Sequence, residues 1–180
     1  GGPAGAGGGG DIVKIAEKVI GVGGAASVVF SNIPSKYRHL MLIIHGRAEK
    51  AATEESIDIR FNADKSSVYD QEGGVSYGSS STSFGQVNMS AGWIGNLPAA
   101  SAGTGMAGQI WVMVANYRST AFHKNWNAQN SNRLGSGATN LRQVSVAGFW
   151  RNTAAITSIE VIGRSSKMSE NTVLTLYGLK

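Results

Sequence analysis

Side-chain character alternates with a period of two through most of this chain, which restricts those stretches to strands with one buried face. From Ser56 to Asn62, Ile57, Ile59 and Phe61 point one way while Ser56, Asp58 and Arg60 point the other. Gln109 to Tyr117 sets Ile110, Val112 and Val114 against Trp111, Met113, Ala115 and Tyr117. Ala121 to Asn130 sets Phe122, Lys124, Trp126 and Ala128 against His123, Asn125, Asn127 and Gln129. Strands are also expected at Asp11 to Ile20, Ala26 to Phe30, Arg142 to Trp150, Ser158 to Arg164 and Thr172 to Leu179. Leu40 to Ala48 is the most hydrophobic run. Its adjacent Ile43 and Ile44 suggest burial on both faces, as in a sandwich core.

Between Ala63 and Ala107 the alternation weakens. Residues 76–83 are rich in Ser, Gly and Thr, and residues 98–108 are small, so long loops are expected there. Val87, Met89, Trp93 and Ile94 are apolar islands that fit one short strand at most. The reading is eight or nine strands with almost no helix signal. The fold class is therefore all-β: an antiparallel two-sheet sandwich, jelly-roll-like. Residues 11–180 form the head domain, and residues 1–10 form an extended stem.

The stem, GGPAGAGGGG, has no side chain with which to build a core. Glycine loses more backbone entropy on ordering than any other residue, so free in water this run is a flexible coil. Gly2, Gly5 and Gly8, with Pro3 following the first, place glycine at every third position, a register in which three polyproline-II chains approach one axis. A flexible linker to another protein is the alternative.

A net charge of +5 raises the question of nucleic acid, but no run reaches three consecutive Lys or Arg. A dispersed positive surface is the better reading, and no nucleic-acid partner is expected. Without cysteine there is neither disulfide nor thiolate metal site, and assembly in a reducing cytoplasm is allowed. No stretch of 18 apolar residues exists, so no membrane-spanning helix is expected.

Chemical motifs fare poorly. Gly21-Val22-Gly23-Gly24-Ala25-Ala26 fits a dinucleotide fingerprint, but it leads into Ser27-Val28-Val29-Phe30, a strand rather than a helix. His39, His45 and His123 have no metal-ligand spacing, and no G-x-S-x-G elbow is present. No catalytic residue and no cofactor is assigned, and the chain is read as a non-enzyme. Asp58, Asn62 and Asp64 are a weak oxygen cage for calcium, with strand-ending turn chemistry as the alternative. Trp93, Tyr69 and Tyr77 are candidate glycan contacts, with Trp93 the aromatic expected to be most exposed. Trp111 and Trp126 lie inside strands, which points to the core or a subunit interface.

Four stretches together resemble a β-structural module of tailed-bacteriophage virion proteins. The first is Phe30-Ser31-Asn32-Ile33-Pro34-Ser35-Lys36-Tyr37-Arg38-His39-Leu40. Next comes Ile59-Arg60-Phe61-Asn62-Ala63-Asp64, followed by Tyr69. The third is Gly148 to Ile159, and the last is the terminal Leu176-Tyr177-Gly178-Leu179-Lys180. The resemblance spans roughly residues 15–180 and leaves the middle loops unmatched. It implies a non-enzymatic structural or adhesive role in the virion, such as capsid decoration, head fibre or tail appendage. Expected partners are copies of the chain, most simply as a trimer, and other virion proteins such as major capsid or tail proteins. The alternative function is a carbohydrate-binding domain of a tail fibre that recognises a host surface glycan.

Overall fold

A computed structural model describes residues 11–137 and 140–180. Gly2, Pro3, Gly5 and Gly8 of the expected stem lie outside the described residues. Among the described residues the chain forms twelve strands. They are β1 (Ile12–Val19), β2 (Ser27–Phe30), β3 (His39–Gly46), β4 (Glu54–Phe61), β5 (Tyr69–Tyr77) and β6 (Ser80–Met89). They continue with β7 (Gly92–Pro98), β8 (Gly108–Val114), β9 (Lys124–Arg133), β10 (Leu141–Trp150), β11 (Ile159–Gly163) and β12 (Val173–Leu179).

The strands build two antiparallel sheets packed as a sandwich. The larger has the order β1-β12-β3-β8-β9-β10-β5-β6, and the smaller has the order β2-β11-β4-β7. The smaller sheet buries the inward face of the larger one. Leu40, Leu42 and Ile44 from β3 and Ile110, Val112 and Val114 from β8 meet Ile57, Ile59 and Phe61 from β4 in one continuous core.

At one end of that core Phe61, Tyr69, Trp126 and Trp150 form an aromatic cluster with ring centroids 5.6 to 6.5 Å apart. Glycine makes room for it. A Cβ at Gly92 on β7 or at Gly148 on β10 would collide with the Trp126 indole.

Two stretches differ from the sequence expectation. The region from Ala63 to Ala107 carries three strands, β5, β6 and β7, rather than long loops. β5 hid its alternation because Gly73 and Gly74 interrupt it. β6 hid its own because it is an edge strand lying largely in solvent, with no need of an apolar face. The Ala121 to Asn130 strand starts and ends later, at Lys124 and Arg133, which leaves Phe122 exposed.

Candidate functional site

The segments that carry the family resemblance are far apart in sequence and touch one another in space. Asn62 follows β4 with φ +53°, a left-handed turn conformation that asparagine tolerates better than most residues. Its Oδ1 accepts from the backbone N–H of Thr157 (2.8 Å) and of Ser158 (3.2 Å), and its Nδ2 donates to the Ala155 carbonyl at 2.9 Å. The Ile33 N–H donates to the Thr157 carbonyl at 3.0 Å, which adds the first segment to the same knot. Tyr37, from that first segment, packs its ring into the space that a Cβ at Gly178 would occupy. The Phe61 N–H donates to the Tyr69 hydroxyl at 2.9 Å. These residues hold the scaffold together.

The calcium candidates do not assemble into a cage. Asp58 is held in a two-pronged ion pair by Arg164, Nε to Oδ2 at 2.8 Å and Nη2 to Oδ1 at 2.6 Å. Asn62 is engaged as described. Asp64 accepts from the Ser66 N–H at 2.9 Å and from the Trp150 indole N–H at 2.8 Å. Partial burial pushes the Asp64 carboxyl up, but the hydrogen bonds from Ser66, Trp150 and Asn152 outweigh it and hold its pKa below the usual 3.8. Among the described residues no group of three or more His, Cys, Asp or Glu side chains is placed to hold a metal.

The three aromatic glycan candidates are not brought together either. Tyr69 is fully buried in the aromatic cluster, so it presents no ring to a ligand. Tyr77 sits at the other end of β5, eight residues and about 26 Å away at strand spacing. The Tyr77 ring lies under the Arg142 guanidinium, 5.3 Å from its centroid, and is half-buried. Trp93 is also half-buried, its ring edge-on to Phe84 at 5.0 Å and its indole N–H donating to Asn96 Oδ1 at 3.1 Å. Trp93 covers the rim of the core, and Tyr77 is held by Arg142.

Of the two places expected for Trp111, the core or a subunit interface, the structure excludes the core. Trp111 is 36% exposed on the outer face of the larger sheet, whereas Trp126 is indeed interior. Cross-strand pairing sets Trp111 between Ile43 on β3 and Gln129 on β9, and Gln129 opposite Ser145 on β10. The next row along the face runs Gln109, Ser131, Gln143. Gln109, Trp111, Gln129, Ser131 and Gln143 line a shallow depression of about 270 Å³. Apart from Arg133 at the end of β9, no outward position of β8, β9 or β10 carries a formal charge. A flat indole beside uncharged amides and hydroxyls offers a stacking platform next to hydrogen-bond donors and acceptors.

Two buried charges were not foreseen and serve the scaffold. Glu55 is fully buried and accepts from the Ser165 N–H at 2.7 Å, with Lys50 Nζ at 3.5 Å. Lys124 donates from Nζ to the carbonyls of Phe122 and Thr153, both at 3.0 Å, and burial lowers its pKa.

No protein-family model and no curated protein sequence matches the chain. Solved structures with a similar course of the chain include an exo-inulinase from Aspergillus awamori, at 10% identity and a TM-score of 0.45. That match covers 93% of this chain but only 29% of the inulinase. A double mutant of Congerin II is 18% identical, with a TM-score of 0.32 over 86% of this chain and 99% of that one. The Caenorhabditis elegans galectin LEC-6 is 10% identical, with a TM-score of 0.33 over 91% of this chain and 95% of that one. These likenesses concern the all-β sandwich architecture, and nothing about ligand or activity is taken from them.

Proposed function

We propose that this chain is a non-enzymatic structural protein of a bacteriophage virion, a capsid decoration or a fibre or tail-appendage module. In this reading its β-sandwich head is displayed from the particle and attached through residues 1–10. The observation that carries it is the contact network among the resemblance-bearing segments: Asn62 to residues 155–158, Ile33 to Thr157, and Tyr37 against Gly178. Residues that meet in space support a likeness of whole scaffold rather than of scattered turns.

The partners in this reading are copies of the chain, as a trimer along the glycine register, and other virion proteins. Light scattering on the full chain in dilute solution is expected to give a trimer, and a monomer alone counts against it. Immunogold labelling of purified particles is expected to decorate the capsid or the tail; unlabelled particles reject the virion assignment.

A second reading, recognition of a host surface glycan, is favoured by one observation: Trp111 stands exposed among uncharged amides and hydroxyls. Binding of the full chain to host envelope saccharides tests it, and a complete absence of binding removes it.

A further inference from the structure

We propose that the depression around Trp111 is a binding site for a neutral saccharide, one or two sugar rings long. The proposal rests on the glycan-recognition reading and moves its site away from Trp93, Tyr69 and Tyr77, which the fold scatters and covers. Trp111 supplies the platform: a pyranose presents a face of C–H groups that packs on an indole, while its hydroxyls project sideways. In the same plane Gln109 and Gln143 flank Ser131 in one cross-strand row, which continues to His45 on β3 and Ser76 on β5. Each amide offers both a donor and an acceptor, the combination that sugar hydroxyls need. Gln129 is already oriented, its Nε2 donating to Ser145 Oγ at 2.7 Å. β8 and β10 are two strand spacings apart, about 10 Å, so a ligand on Trp111 reaches the β10 amide without the sheet moving.

Size and charge narrow the ligand class. A volume of about 270 Å³ lies just under the usual range for small-molecule pockets, which suits a short saccharide and leaves no groove for a peptide helix. An acidic sugar would bring a carboxylate to a depression whose lining holds no Lys or Arg. Arg133, one outward position beyond Ser131 on β9, already donates to the Gly135 and Ser136 carbonyls, so the carboxylate's desolvation would go uncompensated. A second copy of this chain is the competing occupant, because the β3 side of Trp111 is apolar, with Ile43 opposite it and Met41 and Met113 in the next row. The amides and hydroxyl on the β9 and β10 side favour the saccharide, and the oligomer arm of the test below separates the two.

The test uses the full chain on an array of neutral hexose and N-acetylhexosamine oligosaccharides, with sialylated and uronic-acid oligosaccharides alongside. Binding to the neutral set is expected. Trp111→Ala is expected to weaken it at least tenfold, Trp111→Phe to restore part of it, and Gln143→Ala to weaken it several-fold. Thermal unfolding of each variant should stay at the wild-type midpoint, because none of these side chains enters the core. Wild-type binding that Trp111→Ala leaves intact overturns this site while sparing the glycan-recognition reading. No binding to any saccharide overturns both. Preference for the acidic set overturns the assignment of ligand class. A wild-type oligomer that Trp111→Ala dissociates, with no saccharide bound, makes this face an interface between copies instead.

Discussion

Gly148 on β10 stands directly opposite Trp126 on β9, and the Trp126 indole fills the space where a Gly148 side chain would begin. The aromatic end of the core depends on that absence. Trp126 is pressed from the other sheet by Gly92, whose Cβ position it also occupies. The indole has no slack in either direction.

Gly148→Ala is therefore expected to overpack the cluster, at a cost of about 1–3 kcal/mol. For a chain of this size that corresponds to a fall in Tm of roughly 2–12 °C. A thermal melt followed by circular dichroism reads it directly. An unchanged midpoint would mean that Trp126 can move aside at no cost.

Asn62 combines two roles that substitutions can separate. Asn62→Gly relaxes the positive φ but deletes the bonds to Ala155, Thr157 and Ser158; Asn62→Ala loses the bonds and keeps the strain. If the bonds dominate, both variants lose about 1–3 kcal/mol in urea unfolding. A glycine variant as stable as wild type would show that only the turn conformation matters.

Asp64 makes stability depend on acid. Its folded-state pKa is lowered, so its contribution is fully present above the unfolded value of 3.8 and is lost as pH falls through the folded value. Urea midpoints measured from about pH 6 down to about pH 2 should drop for the wild type at the acid end. Asp64→Asn should start lower and show a flatter acid limb. Trp150→Phe, which removes one donor to the carboxylate, should fall between them.

Arg47 ties down the segment after β7. Its guanidinium donates to the carbonyls of Ala99 at 2.8 Å, Gly103 at 2.9 Å and Ala102 at 3.3 Å, and also to that of Met106. A lysine ammonium has fewer donors and no planar fork, so Arg47→Lys cannot span the same carbonyls. Faster hydrogen exchange and earlier proteolytic nicking are expected between residues 99 and 107, with smaller change elsewhere. Exchange unchanged in that segment would show it is held by other contacts.

Strands β3, β4, β8 and β10 were legible because their inward positions are almost unbroken Leu, Ile and Val or aromatic residues. β5 and β6 were not. Gly73 faces Phe84 and the Ser145 carbonyl at close range, so packing there requires glycine, the residue that reads as a loop. β6 borders the sheet and is mostly exposed, with only Phe84 and Met89 packed against the core. Tyr69 is a candidate glycan contact by residue type alone; its burial follows from tertiary contacts with Phe61 and Trp150, which no local period encodes. The signal for Trp111 was present in its parity. It alternates with Ile110 and Val112, which are buried, and so had to face outward. Parity alone does not say which of the two faces of β8 is covered, so the core stayed open for Trp111 beside a subunit interface.

β1 and β12 pair antiparallel along one margin of the larger sheet, with Ile12 opposite Leu179 and an ion pair from Lys180 to Asp11 at 3.1 Å. The chain thus enters and leaves the sandwich at the same corner. A pull between those two ends would peel the margin open one residue pair at a time, beginning at Asp11 and Lys180. A pull on residue 11 resisted by the body of the sheet would instead load the β1 hydrogen bonds together. The mechanical strength of this module depends on which of its ends carries the tether.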